Sequence, residues 1–226
     1  MKPYFPKDLK EAVSLQRELA SRVKYASRPS SIRYVAGVDV AYHRGRSLNV
    51  GAAVVLSYPN LEIADVICRK GPTPFPYVPS LLSFREAPLC YDILAPLRDM
   101  IDVLFVDGQG IAHPRRFGIA SHLGVLLDVP TIGCAKSRLV GREPKRLGKA
   151  KGSRASLTHN GERIGTVLRT RAGVKPVYVS VGHRSRLAWA EEFVLELSPR
   201  YRIPEPLSRA HNVVTKERLR MELETS

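Results

Sequence analysis

The chain has 226 residues, of which 44% are hydrophobic, and this content predicts one sizeable core and a single domain over residues 1–226. Lys and Arg number 36 against 21 Asp and Glu, and the net charge of +15 predicts a polyanionic partner, most simply nucleic acid, with ribosome association or nonspecific binding as alternatives. The three cysteines are widely spaced and form no CxxC pair, which argues against a zinc site or a disulfide framework. The sequence has no apolar run of membrane-spanning length and no signal-peptide core, which argues against a membrane protein.

The first part of the chain predicts a helix and then three strands. Residues 9–23 carry an apolar stripe at helical spacing, and Asp8 with Glu11 forms a capping-box-like start. We expect the strands at residues 34–42, 49–57 and 62–69. The short joins at 43–47 and 58–60 predict an antiparallel meander.

A proline-rich segment follows the meander. Residues 71–79 hold four prolines, so no regular structure is expected there. Pro88 suits the first turn of a helix, which we expect to run to Met100 with a kink at Pro96. Glu86 is then predicted just ahead of this helix, near its positive end.

The second half alternates between strand and helix. We expect strands at residues 103–106, 129–135, 163–169 and 177–181. We expect helices at residues 117–127, 184–195 and from 204 onward. The order strand, helix, strand implies a parallel crossover. The chain is therefore predicted to be an α/β protein with a mixed central sheet, an antiparallel meander plus parallel strands, flanked by helices. This is the order of a ribonuclease H-like fold.

Three acidic residues lie where a metal-dependent nuclease would need them. Asp39 interrupts an apolar strand, Asp107 closes another strand just before a glycine turn, and Glu86 precedes a helix. Because an ionised carboxylate is costly to bury alone, this pattern indicates a hard cation such as Mg²⁺. The first and fourth strands are neighbours in the predicted sheet, which would bring Asp39 and Asp107 side by side. For each acid taken alone, a turn or cap residue is the alternative.

Two further residues are candidates for the same site. Lys136 leaves a strand close to the predicted acids, where it would offset negative charge at a phosphate unless it is a solvated surface lysine. His211 shares a helix face with Leu207 and Val214, so we expect it to point inward. It is either a core histidine or a partner of a metal-bound water.

Residues 136–154 form a basic segment. They hold eight basic residues and the acid Glu143. In a chain with this net charge, such a run predicts a surface that contacts phosphates, although most charged runs are solvated loops.

Pro76-Tyr77-Val78-Pro79 is a stiff loop with an aromatic ring at its tip. Such a ring can enter a base stack as a wedge, unless Tyr77 packs down onto the protein. The turn Gly108-Gln109-Gly110 after Asp107 permits close approach of a ligand, and a sharp strand-to-helix connection would use the same residues.

The chain resembles the endonuclease V family, the deoxyinosine 3′-endonucleases. The resemblance extends from about residue 34 to residue 212 and rests on short motifs at GVDVAY 37–42, PYVP 76–79, LSFRE 82–86, DGQGIAHPR 107–115, ASHLG 120–124, DVPTIG 128–133, Ala135-Lys136, Pro204-Glu205-Pro206 and Ala210-His211. The PYVP and DGQGIAHPR strings together are its most specific part. Gln109 stands where many members carry histidine, so no role is assigned to it.

The resemblance implies a Mg²⁺-dependent endonuclease in DNA repair, with Mn²⁺ as a substitute. It implies recognition of deoxyinosine and cleavage of the second phosphodiester bond 3′ to the lesion, leaving 3′-hydroxyl and 5′-phosphate ends. We expect a cytoplasmic monomer that binds inosine-containing DNA, or possibly inosine-containing RNA. The alternatives are another ribonuclease H-like nuclease, acting on hybrids, branched DNA or inosine in RNA, and a non-catalytic nucleic-acid-binding protein.

The resemblance also implies roles for individual residues. Asp39, Glu86 and Asp107 are the expected metal ligands, and Lys136 and His211 assist at the scissile phosphate. Tyr77 is the expected DNA wedge, with its flanking prolines Pro76 and Pro79. The base pocket is expected at Gly108, Gly110, Leu139 and Gly141. We expect phosphate contacts from His113, Arg115, Arg138, Lys145, Arg146 and Lys149.

Overall fold

The computed structural model describes residues 5–43 and 47–224, apart from the side chain of His43. Its strands are β1 Tyr34–His43, β2 Leu48–Ser57, β3 Ile63–Pro72, β4 Val103–Val106, β5 Thr131–Ala135, β6 Arg154–His159, β7 Glu162–Leu168 and β8 Val177–His183. Its helices are α1 Leu9–Ala20, α2 Leu82–Leu94, α3 Ile119–Leu127, α4 Leu187–Glu196 and α5 Glu205–Leu223, and a 3₁₀ turn at Ala95–Met100 follows α2. None of the described helices is both long and apolar enough to cross a bilayer.

The strands form one eight-stranded sheet in the order β3-β2-β1-β4-β5-β8-β7-β6. The first three strands are an antiparallel meander, and β4 and β5 join it in parallel beside β1. The remaining three strands pair antiparallel. The predicted mixed sheet of a ribonuclease H-like fold is thus confirmed, although residues 44–46 of the first predicted join lie outside the described part of the chain.

Helices cover both faces of the sheet, so its central strands are buried on both sides. On β1, Ala36 and Val38 face a core shared with α2 and α3. Val35, which points the opposite way because side chains alternate along a strand, packs in a second core with residues of α4 and α5. Burial on both faces explains why β1, β2 and β4 read as continuous apolar runs.

The start of α5 crosses β1 in very close contact. A Cβ atom built on Gly37 would lie only 2.3 Å from the carbonyl carbon of Pro206. Only glycine allows this approach of backbone to backbone. The contact brings the following turns of α5, including His211, over the end of β1.

Two predictions for the helix after the proline-rich segment are wrong. The helix α2 begins at Leu82, so Glu86 lies inside it and Pro88 is an interior residue. Burial of residues such as Leu89 and Ile93 against the sheet outweighs the cost of about 3 kcal/mol for an interior proline. The α-helix does end close to the predicted kink, where Pro96 opens the 3₁₀ turn.

The strand β6 is not among the strands predicted from the sequence. This strand is mostly exposed or half-buried, with Leu157 as its one fully buried residue, so it lacks the apolar pattern of the inner strands. Among the described strands it pairs with β7 at the end of the sheet, and its Thr158 also forms an isolated bridge with Arg142. At the N-terminus, the Glu11 amide donates to the Asp8 carboxylate at 2.8 Å, so the predicted helix start is confirmed, while the helix ends at Ala20.

Candidate active site

Two carboxylates meet where β4 ends beside the middle of β1. Val38 pairs with Val106 in the parallel register of these strands, so Asp39 and Asp107 are the next residues along each strand. Both side chains are mostly buried, at 12% and 17% exposure. This adjacency is the arrangement that the sequence predicted.

Glu86 approaches the same pair from the second turn of α2. Burial, followed by repulsion from Asp39 and then Asp107, raises the pKa of Glu86 to about 8. Burial also raises the pKa of Asp107, even though the Lys136 ammonium opposes this shift. Three acids this close disfavour full ionisation unless positive charge is added.

Two basic side chains hold the paired aspartates. The Lys136 Nζ lies 2.5 Å from Asp107 Oδ2, and the His211 Nδ1 lies 2.7 Å from Asp39 Oδ2. The attraction of Asp107 raises the pKa of Lys136 although burial of the lysine opposes this. His211 is 49% exposed, so the expectation that it points inward is wrong. Its helix buries Leu207 and Val214 instead, and the imidazole extends from the helix toward Asp39.

The three acids provide only oxygen ligands, which hard divalent cations prefer. Among the described residues, no three His, Cys, Asp or Glu side chains are placed as a ready-made metal-binding group. Lys136 supplies positive charge to Asp107, and His211 forms a hydrogen bond with Asp39. Besides burial, repulsion from Asp39 and Asp107 contributes to the raised pKa of Glu86, and an added positive charge would relieve that repulsion. The residues present therefore fit a divalent cation.

The loop at residues 76–79, called the wedge loop below, presents Tyr77 to solvent. Its ring is 69% exposed, so the alternative that Tyr77 packs down is excluded. The neighbours Phe75 and Val78 pack instead against a small core with Ala12 and Phe84. Packing of these two neighbours thus anchors the loop to the protein, while Tyr77, Pro76 and Pro79 stay exposed.

A cavity of about 290 Å³ lies between the wedge loop and the carboxylates. Its lining includes Tyr77 of the wedge loop and the following Ser80, together with Asp107 and its ion-pair partner Lys136. Two of the four residues predicted for the base pocket, Gly108 and Leu139, also line it.

The other two residues predicted for the base pocket lie apart from this cavity. The Gly110 amide donates to Ser180 Oγ at 2.8 Å, and a Cβ on Gly110 would overlap the Val181 carbonyl. Gly141, at φ +94°, lies in a separate depression beside Thr158.

Several residues in the cavity wall had no predicted role, and three of them are polar side chains with defined places in the structure. Gln109 Nε2 donates to the Ser137 carbonyl at 2.9 Å, which fixes the orientation of the amide. Gln16 and Ser80 also line the cavity. Gln16 comes from α1, whose sequence shows only an amphipathic stripe, so nothing in its local pattern indicates the contact.

The six predicted phosphate contacts fall into two groups. Lys145, Arg146 and Lys149 are exposed and form no ion pair within the described part of the chain, and Arg138 lies 3.7 Å from Glu143. His113 is only 2% exposed.

The histidine and its neighbour Arg115 bond inside the protein. His113 Nε2 lies 2.8 Å from the Ser80 carbonyl, and Arg115 donates to both Ser80 and Gln16. The structure thus argues against phosphate contacts for His113 and Arg115, whose polar groups serve internal partners.

Comparisons with known proteins agree on one family. A family model described as Endonuclease V matches residues 17–212. An endonuclease V of Trichormus variabilis is 48% identical over 202 residues, which cover 89% of this chain and 91% of the relative. The crystal structure of an endonuclease V from Streptomyces avermitilis superposes with a TM-score of 0.86 at 42% identity, over 98% of this chain and 96% of that one.

One solved relative carries a nucleic acid. It is an endonuclease V of Ciona intestinalis in complex with a 24mer DNA that contains an inosine followed by a ribo-adenosine. It is 30% identical to this chain, with a TM-score of 0.80, over 94% of this chain and 98% of that one.

Proposed function

The chain belongs to the endonuclease V family, and from that premise we propose that it is a metal-dependent endonuclease that recognises deoxyinosine in DNA, the product of adenine deamination, and acts in DNA repair. The observation that carries this proposal is the cluster of Asp39, Glu86 and Asp107, of which Asp107 lines a cavity that an exposed tyrosine borders. We further propose cleavage of the second phosphodiester bond 3′ to the lesion, with 3′-hydroxyl and 5′-phosphate products.

The three carboxylates would hold a divalent cation, which we propose is Mg²⁺, with Mn²⁺ as a substitute. When bound, such an ion polarises a phosphoryl oxygen and lowers the pKa of a water ligand. Lys136 then stabilises negative charge that develops on the scissile phosphate, because its ammonium already lies at the acids. His211, oriented through Nδ1 by Asp39, presents its Nε2 for proton transfer with the attacking water.

The cavity would take the lesion base. Enzymes that act at a base remove it from the stack, and a wedge offsets part of the cost by filling the gap. Tyr77 is the exposed ring suited to that task, and Pro76 and Pro79 stiffen its loop. Gly108 and Leu139 would contact the base in the cavity.

The basic segment would bind the backbone of the nucleic acid. Lys145, Arg146 and Lys149 are exposed and make no ion pair with the described residues, so they can bind phosphates. Arg138 lines the cavity. Such contacts supply affinity without reading sequence, so recognition of the lesion falls to the cavity and the wedge loop.

A second candidate substrate is inosine in RNA. The Ciona intestinalis relative was solved with a ribo-adenosine directly after the inosine. Replacing that one nucleotide in an otherwise identical substrate would separate the two candidates through the ratio of cleavage rates. A single domain, a monomeric state and a cytoplasmic location are further proposals that come from the sequence alone.

Cleavage of matched duplexes tests the proposed function. One duplex carries deoxyinosine, and its control carries deoxyadenosine at the same position. We expect cleavage of the inosine strand in Mg²⁺ or Mn²⁺, no cleavage in EDTA, and a product whose 3′ end a ligase can join. Equal cleavage of both duplexes would point to another ribonuclease H-like nuclease, and binding without cleavage would point to a non-catalytic protein.

A further inference from the structure

Ser80 joins the wedge loop to α2 and has an unusual backbone conformation. Its φ of +67° lies in the left-handed region, which residues other than glycine seldom adopt. Such a conformation persists only where surrounding contacts enforce it. The contacts at Ser80 therefore indicate which residues hold the end of the wedge loop.

Three side chains from distant parts of the chain converge on the Ser80 carbonyl. His113 Nε2 lies at 2.8 Å, Arg115 Nη2 at 3.0 Å and Gln16 Nε2 at 3.2 Å from this oxygen. Arg115 Nη2 also donates to Ser80 Oγ at 2.7 Å. The residue at the base of the wedge loop is thus held through both its backbone and its side chain.

Gln16 ties this group to α1. It is fully buried, and its Nε2 also donates to the Phe117 carbonyl at 2.7 Å. Its Oε1 accepts from Arg115 Nε at 2.5 Å. A buried polar network in which these groups find partners is rigid, and loss of one member leaves the others unpaired.

His113 is fixed in one protonation state. Burial lowers its pKa to about 4, so the ring is neutral near pH 7. Its Nδ1 accepts from the Arg115 backbone N–H at 3.1 Å, so the proton lies on Nε2 and is donated to Ser80.

We propose that Gln16, His113 and Arg115 are positioning residues that clamp Ser80 and thereby hold Tyr77 at the edge of the base cavity. This proposal rests on the proposed function and extends it, because the clamp would hold the wedge residue in a fixed position. Apolar packing of Phe75 and Val78 holds the inner side of the loop. The clamp holds its end, where the chain turns into α2 and toward Glu86.

The clamp predicts a loss of activity that depends on whether the inosine is in a duplex or in a single strand. A wedge matters most where a stacked base must leave a duplex, and less where the base is already single-stranded. A clamp variant is therefore expected to lose activity on duplex inosine more than on single-stranded inosine. A variant that only destabilises the fold would lower both activities together.

Two clamp variants and one matched control test the proposal. Gln16→Met preserves side-chain volume but removes every hydrogen bond of the amide. Arg115→Lys keeps the charge but has no planar fork to reach Gln16 and Ser80 together. Arg163→Lys makes the same exchange at an arginine away from the clamp, which bonds Thr166 and Glu191. All three variants are made in the full chain, and urea unfolding verifies that they fold.

Hydrogen exchange of the wedge loop is the first readout, and it needs no substrate. In the wild type, the Leu81 amide donates to the Val78 carbonyl at 2.9 Å and should exchange slowly. We expect faster exchange in a peptide spanning 75–84 for both clamp variants and no change for Arg163→Lys. Unchanged exchange in the clamp variants would overturn the proposal, whatever the enzyme cuts.

Cleavage kinetics are the second readout. We expect kcat/KM on duplex inosine to fall about tenfold in the clamp variants, since a misplaced group costs up to about 100-fold. The loss on single-stranded inosine should stay within about twofold. Equal losses on both substrates would overturn the positioning role. If the wild type cuts neither inosine substrate, the proposed function fails on its own, and the exchange result alone decides whether the clamp exists.

Discussion

At the scale of single residues, charge and burial oppose each other in the active site. Asp39, Glu86 and Asp107 lie close together, and their mutual repulsion is offset only in part by the Lys136 ammonium, which pairs with Asp107. The fold tolerates this cost where β4 ends beside β1. Such a local conflict with stability is typical of functional sites.

Tyr77 allows a direct test of the wedge. We predict that Tyr77→Ala slows cleavage of inosine in duplex DNA more than in single strands, because less stacking must be broken in single strands. The measurement is the ratio of the two rates at one salt concentration. Tyr25→Ala, which removes another exposed ring, is the control and should leave the ratio unchanged. If Tyr77→Ala slows both substrates equally, the ring is not a wedge.

His122 links stability to pH. It is fully buried among Phe5, Phe84 and Phe117, and burial lowers its pKa from 6.5 to about 3. Between those values the unfolded chain binds a proton that the folded chain does not, so the free energy of unfolding falls as pH falls below 6.5.

We predict that His122→Phe removes this dependence. The stability difference between variant and wild type should shift in favour of the variant by about 1.4 kcal/mol per pH unit at most, as the pH is lowered from 6 to 4. Urea unfolding across that range measures it. Parallel curves for the two proteins would show that His122 takes up no extra proton on unfolding.

At the scale of elements, the close crossing of α5 over β1 sets the geometry of the site. We predict that Gly37→Ala destabilises the protein by about 1–3 kcal/mol, since the new methyl group meets the backbone of Pro206. It should also lower cleavage, because α5 carries His211 toward Asp39.

Gly71→Ala is the matched control for this crossing. Its Cβ would meet only the flexible side chain of Leu89, at 3.2 Å, so we expect a smaller effect on stability and none on cleavage. Urea midpoints and single-turnover rates measure both quantities. Full activity and stability in Gly37→Ala would show that α5 can shift without consequence.

The elements that the sequence predicts best are those that are buried on both faces. In β1 and β4 an acid stands out against an apolar run, so Asp39 and Asp107 could be identified and placed as neighbours. The strand β6 has no such run, and the start of α2 depends on packing that outweighs Pro88. The clamp could not be predicted, because Gln16 is 64 residues before Ser80 and only the fold brings them together.

At the scale of the whole molecule, the positive charge governs affinity. Neutralising Lys145, Arg146 and Lys149 together should flatten the dependence of log K on log salt by about 0.9 for each phosphate of duplex DNA that the variant no longer neutralises. The preference for inosine over adenosine should stay as in the wild type. Titrations at several salt concentrations measure both quantities, and an unchanged slope would show that these three residues do not bind DNA.

The most direct test of the account is single-turnover cleavage by Asp39→Ala and Asp107→Ala on the inosine duplex in Mg²⁺. Each change removes one expected metal ligand and relieves carboxylate repulsion, so both variants should fold as stably as the wild type and still bind the duplex. We predict that cleavage is abolished in both. Wild-type cleavage rates in either variant would contradict the assignment of these carboxylates as the catalytic centre.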